Sequence, residues 1–185
     1  FAESMIAKAR LNAEKLGFNN VEFRQGDLEA MPVSDSVADV VVSNCVLNLV
    51  PDKQRVFSEI LRVLNPGGHF SISDVVLSGD LPEALRKDAE MYAGCVSGAI
   101  QKEEYLGLIA DSGFENVTIQ KEKTIVLPDD ILRRYLSEEE LKEFKQSSSG
   151  IYSITMYAQK PGAETGVQYE TQTVMTSCQP GSGCC

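Results

Sequence analysis

Tryptophan, histidine, positive charge and long apolar runs are all scarce in this sequence. No tryptophan is present, and His69 is the only histidine among the 185 residues. A single histidine weakens any hydrolase interpretation, because histidine is the commonest general base and no second one is available. With 17 Lys and Arg against 27 Asp and Glu, the net charge of −10 argues against a nucleic-acid partner.

No stretch approaches the ~20 apolar residues that a membrane-spanning helix needs, and the N-terminus lacks the layout of a signal peptide. We therefore expect a cytoplasmic protein with no membrane partner. The length and the 43% hydrophobic content fit one globular domain, and we expect a monomer. Phe1 directly precedes a helical pattern, so we also expect a fragment that lacks its natural beginning.

The five cysteines are an odd number, in a chain too large to need disulfides as staples. Cys45 and Cys95 lie far apart, and the other three stand near the end of the chain. We expect reduced thiols in all of them. Zinc is not favoured, because structural zinc sites use close Cys or His pairs and none precedes the last segment.

Helices and strands alternate over the first half of the chain, which predicts a parallel sheet with right-handed crossovers. The 3.6-residue periodicity predicts a first helix with one apolar face, formed by Met5, Ile6, Ala9, Ala13 and Leu16 and ended by Gly17. A second helix is predicted from Pro51 to Leu64. The predicted strands are Val21 to Gln25, the buried run Val40 to Val42, and His69 to Leu77, which follows a stop at Asn65 to Gly68.

The second half has a different pattern. Helices are predicted over Leu81 to Ala93 and Lys102 to Ser112, around a glycine-rich link that contains Cys95. A strand from Val117 to Leu127, short helices beginning at Pro128 and Ser137, and a strand from Ile151 to Gln159 follow. We expect an α/β fold with a mostly parallel sheet, an antiparallel late strand and helices on both faces. The domain would span residues 1–160, with a helical segment at 78–116 and a mobile tail at 161–185.

Two strand ends carry candidate site residues. Gly26-Asp27-Leu28 follows the first strand, where a carboxylate could accept hydrogen bonds from an adenine amino group or a sugar hydroxyl. A polar turn without a ligand is the alternative. Cys45 follows Ser43 and Asn44 at the carboxyl end of the second strand, where open α/β sheets bind ligands. The alternative for Cys45 is a small buried apolar residue.

The thiol of Cys95 becomes a candidate because Cys45 could converge with it over one crevice. Paired thiolates bind soft, thiophilic metals or metalloids. An ordinary cysteine has a pKa near ~8.5, so each thiol needs a positive environment or the incoming centre to lose its proton. The adjacent residues Cys184 and Cys185 either bind soft ions or are exposed thiols with no fixed role. We expect His69 to be structural or solvent-facing. Asp74 could approach the site, but a strand-end carboxylate more commonly makes turn hydrogen bonds, which we expect here.

These residues resemble the S-adenosylmethionine-dependent methyltransferases with a Rossmann-like sheet, and among them the arsenite methyltransferases. Asp27-Leu28 matches the family's adenine-contacting position, and Ser43-Asn44 matches the strand end beside the cofactor. Leu64 to Gly68 resembles the turn before the family's fifth strand. The more specific likeness lies in three cysteine-bearing stretches, Asn44 to Leu49, Tyr92 to Ala99 and Cys178 to Cys185.

The resemblance implies methyl transfer from S-adenosylmethionine to trivalent arsenic, as arsenite or a methylated arsenical, in arsenic detoxification with a small thiol as reductant. Asp27, Leu28 and Asn44 would bind the cofactor. The implied arsenic ligands are Cys45 and Cys95, with Cys184 and Cys185 as further candidates. The family's glycine-rich loop, first strands and additional cysteines would precede Phe1.

Two other functions remain open at the level of sequence. The first is methylation of a small organic acceptor, with the cysteines serving only in packing. The second is a non-catalytic module that sequesters soft metals or metalloids. Methylation of arsenite that depends on Cys45 and Cys95 would distinguish the arsenite enzyme from both.

Overall fold

A computed structural model describes residues 3–81, 96, 98–147 and 149–162. Four strands form the sheet: β1 (Ala38–Asn44), β2 (Leu64–Ser78), β3 (Glu115–Ile125) and β4 (Gly150–Gln159). Five α-helices are described: α1 (Glu3–Leu16), α2 (Lys53–Val63), α3 (Lys102–Asp111), α4 (Asp129–Leu132) and α5 (Glu138–Gln146). A 3₁₀ turn at Leu47–Leu49 follows β1.

The sheet confirms the predicted fold class. Its strand order is β1-β2-β4-β3, with β1 parallel to β2 and with β4 antiparallel to both β2 and β3. Of the four described strands, β1, β2 and β3 therefore point one way, and β4 is reversed. The predicted antiparallel pairing of the two late strands at the sheet edge is confirmed by the register of β3 on β4, which runs from Glu115 opposite Gln159 to Ile125 opposite Ile151.

Helices cover both faces of the sheet because β2 alternates its apolar side chains between two clusters. One face packs against α2 and α3 in a core that includes Phe70, Ile72, Val76, Phe57 and Tyr105. The opposite face packs against α4 and α5 in a second cluster that includes Val75, Leu77, Leu132 and Leu141. The capping box between Ser137 and Glu140 fixes the start of α5.

Helix α2 forms the centre of the larger core. The Asp52 carboxylate accepts a hydrogen bond from the Arg55 backbone N–H and caps its N-terminus. Phe57 is fully buried and meets the Tyr105 ring edge-on, at 5.5 Å between ring centroids. The Phe57 ring also lies 6.0 Å from that of Phe70. Leu47 of the 3₁₀ turn is buried in the same core, so the turn packs against these aromatic rings.

The strand predicted from His69 in fact begins at Leu64, directly after α2. The stop that Asn65 to Gly68 predicts for the helix is confirmed, because α2 ends at Val63, but the same four residues already belong to β2. Here Gly67 has a φ of 79°, and a side chain on Gly68 would crowd the backbone oxygens of Asn65 and Asp39. The glycines therefore let β2 approach β1 closely, with a register shift between Ala38 and Val40.

Two predictions about strands are wrong within the chain. Residues 21–25 form no strand in the structure, although Val21, Phe23 and Gln25 alternate with polar residues. The run Val40 to Val42 forms a strand but is not buried, since Val40 is 49% and Val42 is 75% exposed. Strand β1 pairs only with β2 among the described residues, so an apolar sequence does not by itself produce burial.

Helix α1 forms as predicted and ends at Gly17, whose φ is 72°. Its predicted apolar face is only partly covered, since no residue of α1 is buried and Met5 and Leu16 are 66% and 67% exposed. The predicted helix over Leu81 to Ala93 and the tail from residue 163 onward fall on residues that the structure does not describe. No helix within the described ranges is long and apolar enough to cross a membrane.

Candidate functional site

A cavity of about 300 Å³ opens between two turns at the carboxyl end of β1. The residues after the 21–25 segment form one wall, and the turn that follows Cys45 forms the other. The lining is mainly apolar with one acidic end, and comprises Gly26, Asp27, Leu28, Glu29, Val46, Leu49, Val50 and Pro51. The structure thus brings the predicted Asp27 and Leu28 together with the residues immediately after Cys45.

The wall that carries Asp27 is a tight polar turn. The Asp27 carboxylate accepts a hydrogen bond of 3.1 Å from the Glu29 N–H, and the Asp27 carbonyl accepts one of 3.2 Å from Ala30. Gly26 is required beside it, because a side chain there would overlap the Pro32 ring. Leu28 packs against the main core, so the turn presents its carboxylate on a fixed apolar base.

Helix α2 holds this turn in place at its N-terminal end. The Glu29 carboxylate accepts a hydrogen bond of 3.0 Å from the Asp52 N–H, and its carbonyl accepts one of 3.1 Å from Arg55 Nε. These bonds join residues that are 23 and 26 positions apart in the chain. The cavity wall is therefore fixed by tertiary contacts and not by local turn geometry alone.

The loop after this wall is fixed to the same helix by a partly buried charge pair. Glu59 accepts hydrogen bonds from Arg62 at 2.7 Å and from the Met31 N–H at 2.8 Å. These bonds, led by the one from Arg62, lower the pKa of Glu59 to about 2. Arg62 also donates to the Asp35 carboxylate at 2.6 Å. The loop from Met31 to Asp35 is consequently held on α2.

Cys45 stands at the end of β1 with a backbone φ of 54°, a left-handed conformation that is uncommon for residues other than glycine. Its N–H donates a hydrogen bond of 2.8 Å to the Ser73 carbonyl on β2. The side chain is partly buried and packs against the second apolar cluster. Asn44 is exposed and pairs with Ser73, and it is not among the residues lining the cavity.

Cys95 lies outside the described residues, as do Cys184 and Cys185. Val96 and the residues from Gly98 onward are described, and Val96 and Ala99 are buried in the same cluster that Cys45 contacts. Gly98 lies against the backbone of Asn48, in the turn after Cys45. The two cysteine-bearing stretches therefore meet in the fold immediately downstream of their cysteines.

The expectation that Asp74 makes turn hydrogen bonds is wrong, because Asp74 lies within β2 as a buried polar group next to this turn. Asp74 has no exposed surface, and its carboxylate accepts hydrogen bonds from Tyr105 Oη at 3.3 Å and from the Val75 N–H at 3.0 Å. Burial raises the pKa of Asp74 to about 6 and raises the pKa of the Tyr105 phenol above its usual range. Burial lowers the pKa of the nearby Lys53 amine, which the charge of Asp74 partly offsets.

The remaining polar candidates have structural surroundings. The His69 ring lies 5.1 Å from that of Tyr157, near the start of β2 and away from the cavity, which agrees with its expected structural role. The acidic residues from Glu138 to Glu140 form the first turn of α5, as predicted. No cluster of three or more His, Cys, Asp or Glu side chains able to hold a metal ion occurs among the described residues.

Comparisons with known proteins identify the family of the chain. Residues 1–128 match a family described as a methyltransferase domain. An arsenite methyltransferase of Halobacterium salinarum is 39% identical over 162 residues, which are 86% of this chain and 39% of that protein. The human arsenite methyltransferase is 35% identical over 147 residues, which are 74% of this chain and 39% of that protein.

Comparison with solved structures also finds a methyltransferase. A crystal structure of an arsenic(III) S-adenosylmethionine methyltransferase from Chlamydomonas reinhardtii matches with a TM-score of 0.69 and 31% identity. The match covers 87% of this chain and 54% of that one. The chain spans about two fifths of the length of the two curated relatives. The resemblance predicted from the sequence is thereby confirmed, and the chain belongs to the methyltransferase domain family.

Proposed function

We propose that this chain is the core of an arsenite methyltransferase that uses S-adenosylmethionine. The observation that carries the proposal is the cavity at the end of β1, which joins the Asp27-Leu28 turn to the turn after Cys45. A site for a nucleoside-bearing methyl donor and a thiol for a soft acceptor would then lie side by side. The similarity to arsenite methyltransferases of an archaeon and of humans supports the choice of acceptor.

The cavity fits the adenosine part of the cofactor by chemistry and by size. The carboxylate of Asp27 would accept hydrogen bonds from an amino or hydroxyl group, while Leu28, Val46 and Leu49 would contact the faces of a flat ring. When bound, S-adenosylmethionine supplies a methyl group made electrophilic by its sulfonium. Asn44 and Cys45 do not line the cavity but directly precede the lining residue Val46, and Asn44 would border the reactive end of the cofactor.

Arsenite is the substrate in this proposal, and Cys45 and Cys95 are its ligands. Each As–S bond forms as a thiol displaces a hydroxyl group, and the thiol proton leaves with that hydroxyl as water. Thiolates are preferred ligands of soft centres, which favours arsenic over hard oxygen-seeking ions. A third ligand would come from a small thiol or from Cys184 or Cys185.

The chain's own residues would contribute positioning rather than acid–base catalysis. The arsenic lone pair attacks the methyl carbon in line, the C–As bond forms as the C–S bond breaks, and no proton is abstracted. Holding the two reactants in contact and excluding water are then the main catalytic effects. Methyl transfer raises arsenic to the pentavalent state, and two thiols, oxidised to a disulfide with release of their protons, would return it to the trivalent state.

The test is a methylation assay on the full-length protein with labelled S-adenosylmethionine, arsenite and a small thiol. We expect methylated arsenic from the parent protein, and loss of this product in Cys45→Ser and in Cys95→Ser. Cys178→Ser is the matched control and is expected to retain activity. Methylation of a phenol or quinol but never of arsenite would contradict the acceptor, and arsenite binding without turnover would indicate a sequestering module.

A further inference from the structure

The 3₁₀ turn at the end of β1 has one buried side and one exposed side. Leu47 and Asn48 are 1% and 4% exposed, whereas Val46 and Leu49 are 39% and 60% exposed. The two exposed residues line the cavity proposed for the cofactor. Asn48 therefore places an amide group in the core directly behind the cavity wall, and a polar group buried at such a position calls for an explanation.

Two hydrogen bonds attach this turn to β2. The Cys45 N–H donates to the Ser73 carbonyl at 2.8 Å, and Asn48 Nδ2 donates to the Val75 carbonyl at 2.7 Å. The donors are three residues apart in the chain, and the acceptors are two residues apart on the same strand. The turn is thus fixed to β2 at both ends, by backbone at Cys45 and by the side chain of Asn48.

The backbone of Cys45 depends on these attachments. Its φ of 54° is in the left-handed region, which residues with a Cβ atom seldom adopt unless their surroundings impose it. Asn48 is also confined from the other side, because a methyl group on Gly98 would overlap its carbonyl group. Without the amide of Asn48, Cys45 would be free to relax toward a right-handed or extended conformation.

We propose that Asn48 is a positioning residue that holds Cys45 and the apolar wall of the cavity in one fixed turn. The inference rests on the proposed function, because it takes the cavity as the site of the methyl donor and Cys45 as a ligand of the acceptor. Val46 lies between the two attached residues, and Leu49 directly follows them.

Loss of the Asn48 attachment would therefore disturb the donor side and the acceptor side together. In-line transfer depends on the alignment of two bound reactants, and small displacements of either one lower its rate. A side chain that only stabilised the fold would not link the two sides in this way. The joint change is the property that the experiment measures.

The experiment compares the full-length parent with Asn48→Leu, which keeps a similar volume but has no donor for the Val75 carbonyl. Equilibrium dialysis of S-adenosylmethionine measures the donor side. We expect the dissociation constant to rise by about tenfold or more, because the cavity wall is in place for a smaller fraction of the time.

Alkylation by iodoacetamide in the absence of cofactor measures the acceptor side. Peptide mass spectrometry follows Cys45 separately from the other thiols. Because the Cys45 side chain is only partly accessible in the fixed turn, we expect its alkylation rate in Asn48→Leu to rise by about threefold or more as the turn opens.

Phe114→Ala is the matched control for a general loss of stability. Phe114 is 6% exposed and packs edge-on against Phe70, at 4.9 Å between ring centroids. We expect both measurements in this variant to stay within about twofold of the parent. Equal changes in the control would reduce Asn48 to a structural role and overturn the proposal. Parent values for either measurement in Asn48→Leu would overturn it as well.

Failure of the proposed function has a different signature. A parent that binds no S-adenosylmethionine would overturn the proposed function and this inference together, whereas equal binding by the parent and folded Asn48→Leu overturns the inference alone. If thermal unfolding shows that Asn48→Leu does not fold, Asn48→Ala replaces it, because it removes the same donor and leaves space for water at the Val75 carbonyl. The same two changes are expected there, and their absence would overturn the role.

Discussion

The Tyr105 hydroxyl donates a hydrogen bond of 3.3 Å to the Asp74 carboxylate, and both side chains are completely buried. The pair joins β2 to α3 next to the turn that follows Cys45. A buried carboxylate costs free energy when ionised, and the raised pKa of Asp74, about 6, expresses that cost. Asp74 therefore makes stability depend on pH in a window where ordinary carboxylates have finished titrating.

Changing Asp74 to Asn removes this pH dependence. Because the folded pKa of about 6 exceeds the reference value of 3.8, the native state binds the proton more tightly than the unfolded state. The stabilisation is complete below pH 3.8 and is lost as the pH rises through 6. Between about pH 4 and pH 7, we expect the unfolding free energy of the parent to fall by about 3 kcal/mol relative to that of Asp74→Asn.

Urea unfolding at several pH values measures this difference. Asp111→Asn is the control, since Asp111 is exposed at the end of α3. A constant difference between Asp74→Asn and the parent across the whole range would contradict the assigned pKa.

Glu59 makes the unfolding free energy depend on pH in the opposite direction, and at lower pH. Its pKa is lowered from 4.5 to about 2, chiefly by the hydrogen bond from Arg62, so the native state binds the proton less tightly. This stabilisation is present above pH 4.5 and is lost as the pH falls toward 2. Since Arg62 is 29% exposed and water screens the pair, we expect a contribution of only about 1–2 kcal/mol.

Glu59→Gln tests this contribution by acid unfolding. The parent should lose stability relative to the variant between pH 4.5 and 2, and below pH 3.8 this loss is separate from the titration of Asp74. The loop from Met31 to Asp35 should also become more open to proteolysis in the variant, because the Met31 N–H loses a charged acceptor. Parallel acid-unfolding curves for the two proteins would refute the prediction.

Phe57 tests the aromatic core beneath the site. It is fully buried against Phe70 and Tyr105, so Phe57→Ala removes packing from α2, α3 and β2 at once. We expect a loss of about 3–5 kcal/mol in unfolding free energy. Phe18→Ala deletes the same ring from a position that is 55% exposed, and its effect should stay within about 0.5 kcal/mol. Similar losses of unfolding free energy in the two variants would contradict the placement of Phe57 in the core.

The cofactor proposal can be tested at Asp27 by equilibrium dialysis of S-adenosylmethionine with the full-length protein. Asp27→Asn keeps the shape of the turn and one acceptor oxygen but removes the charge. Because a hydrogen bond to a charged group contributes about 1.5–3 kcal/mol, we expect the affinity to fall by about tenfold or more. Asp111→Asn should bind as the parent does, and equal binding by Asp27→Asn would leave Asp27 with the turn role alone.

Sequence patterns predicted most elements of the fold because their causes are local. The apolar spacing of α2 and the Ser137-Glu140 capping box lie within one or a few turns of chain. The positions of Asp27 and Cys45 at loop and strand ends were also visible, since each follows an apolar or alternating segment. Together with the cysteine-bearing stretches, these positions indicate the methyltransferase family from the sequence alone.

Pairing and burial were decided only by the tertiary structure. The segment from Val21 to Gln25 has a strand pattern but pairs with no described strand of the sheet, and Val42 is apolar yet 75% exposed. Asp74 has the sequence of a strand-end carboxylate, but its partner Tyr105 lies 31 residues away. Such contacts depend on which distant segments meet, which periodicity does not encode.

The contact between Gly98 and Asn48 also depends partly on the sequence and partly on the tertiary structure. The sequence determined that residue 98 is a glycine within a small-residue link three positions after Cys95, and that Asn48 follows Cys45 at the same interval. Only the fold decided that the two backbones touch, because residues 98–101 and the turn after Cys45 both lie at the same end of β2. A glycine is needed there because a side chain would occupy the space of a carbonyl group fixed by Asn48 and Val75.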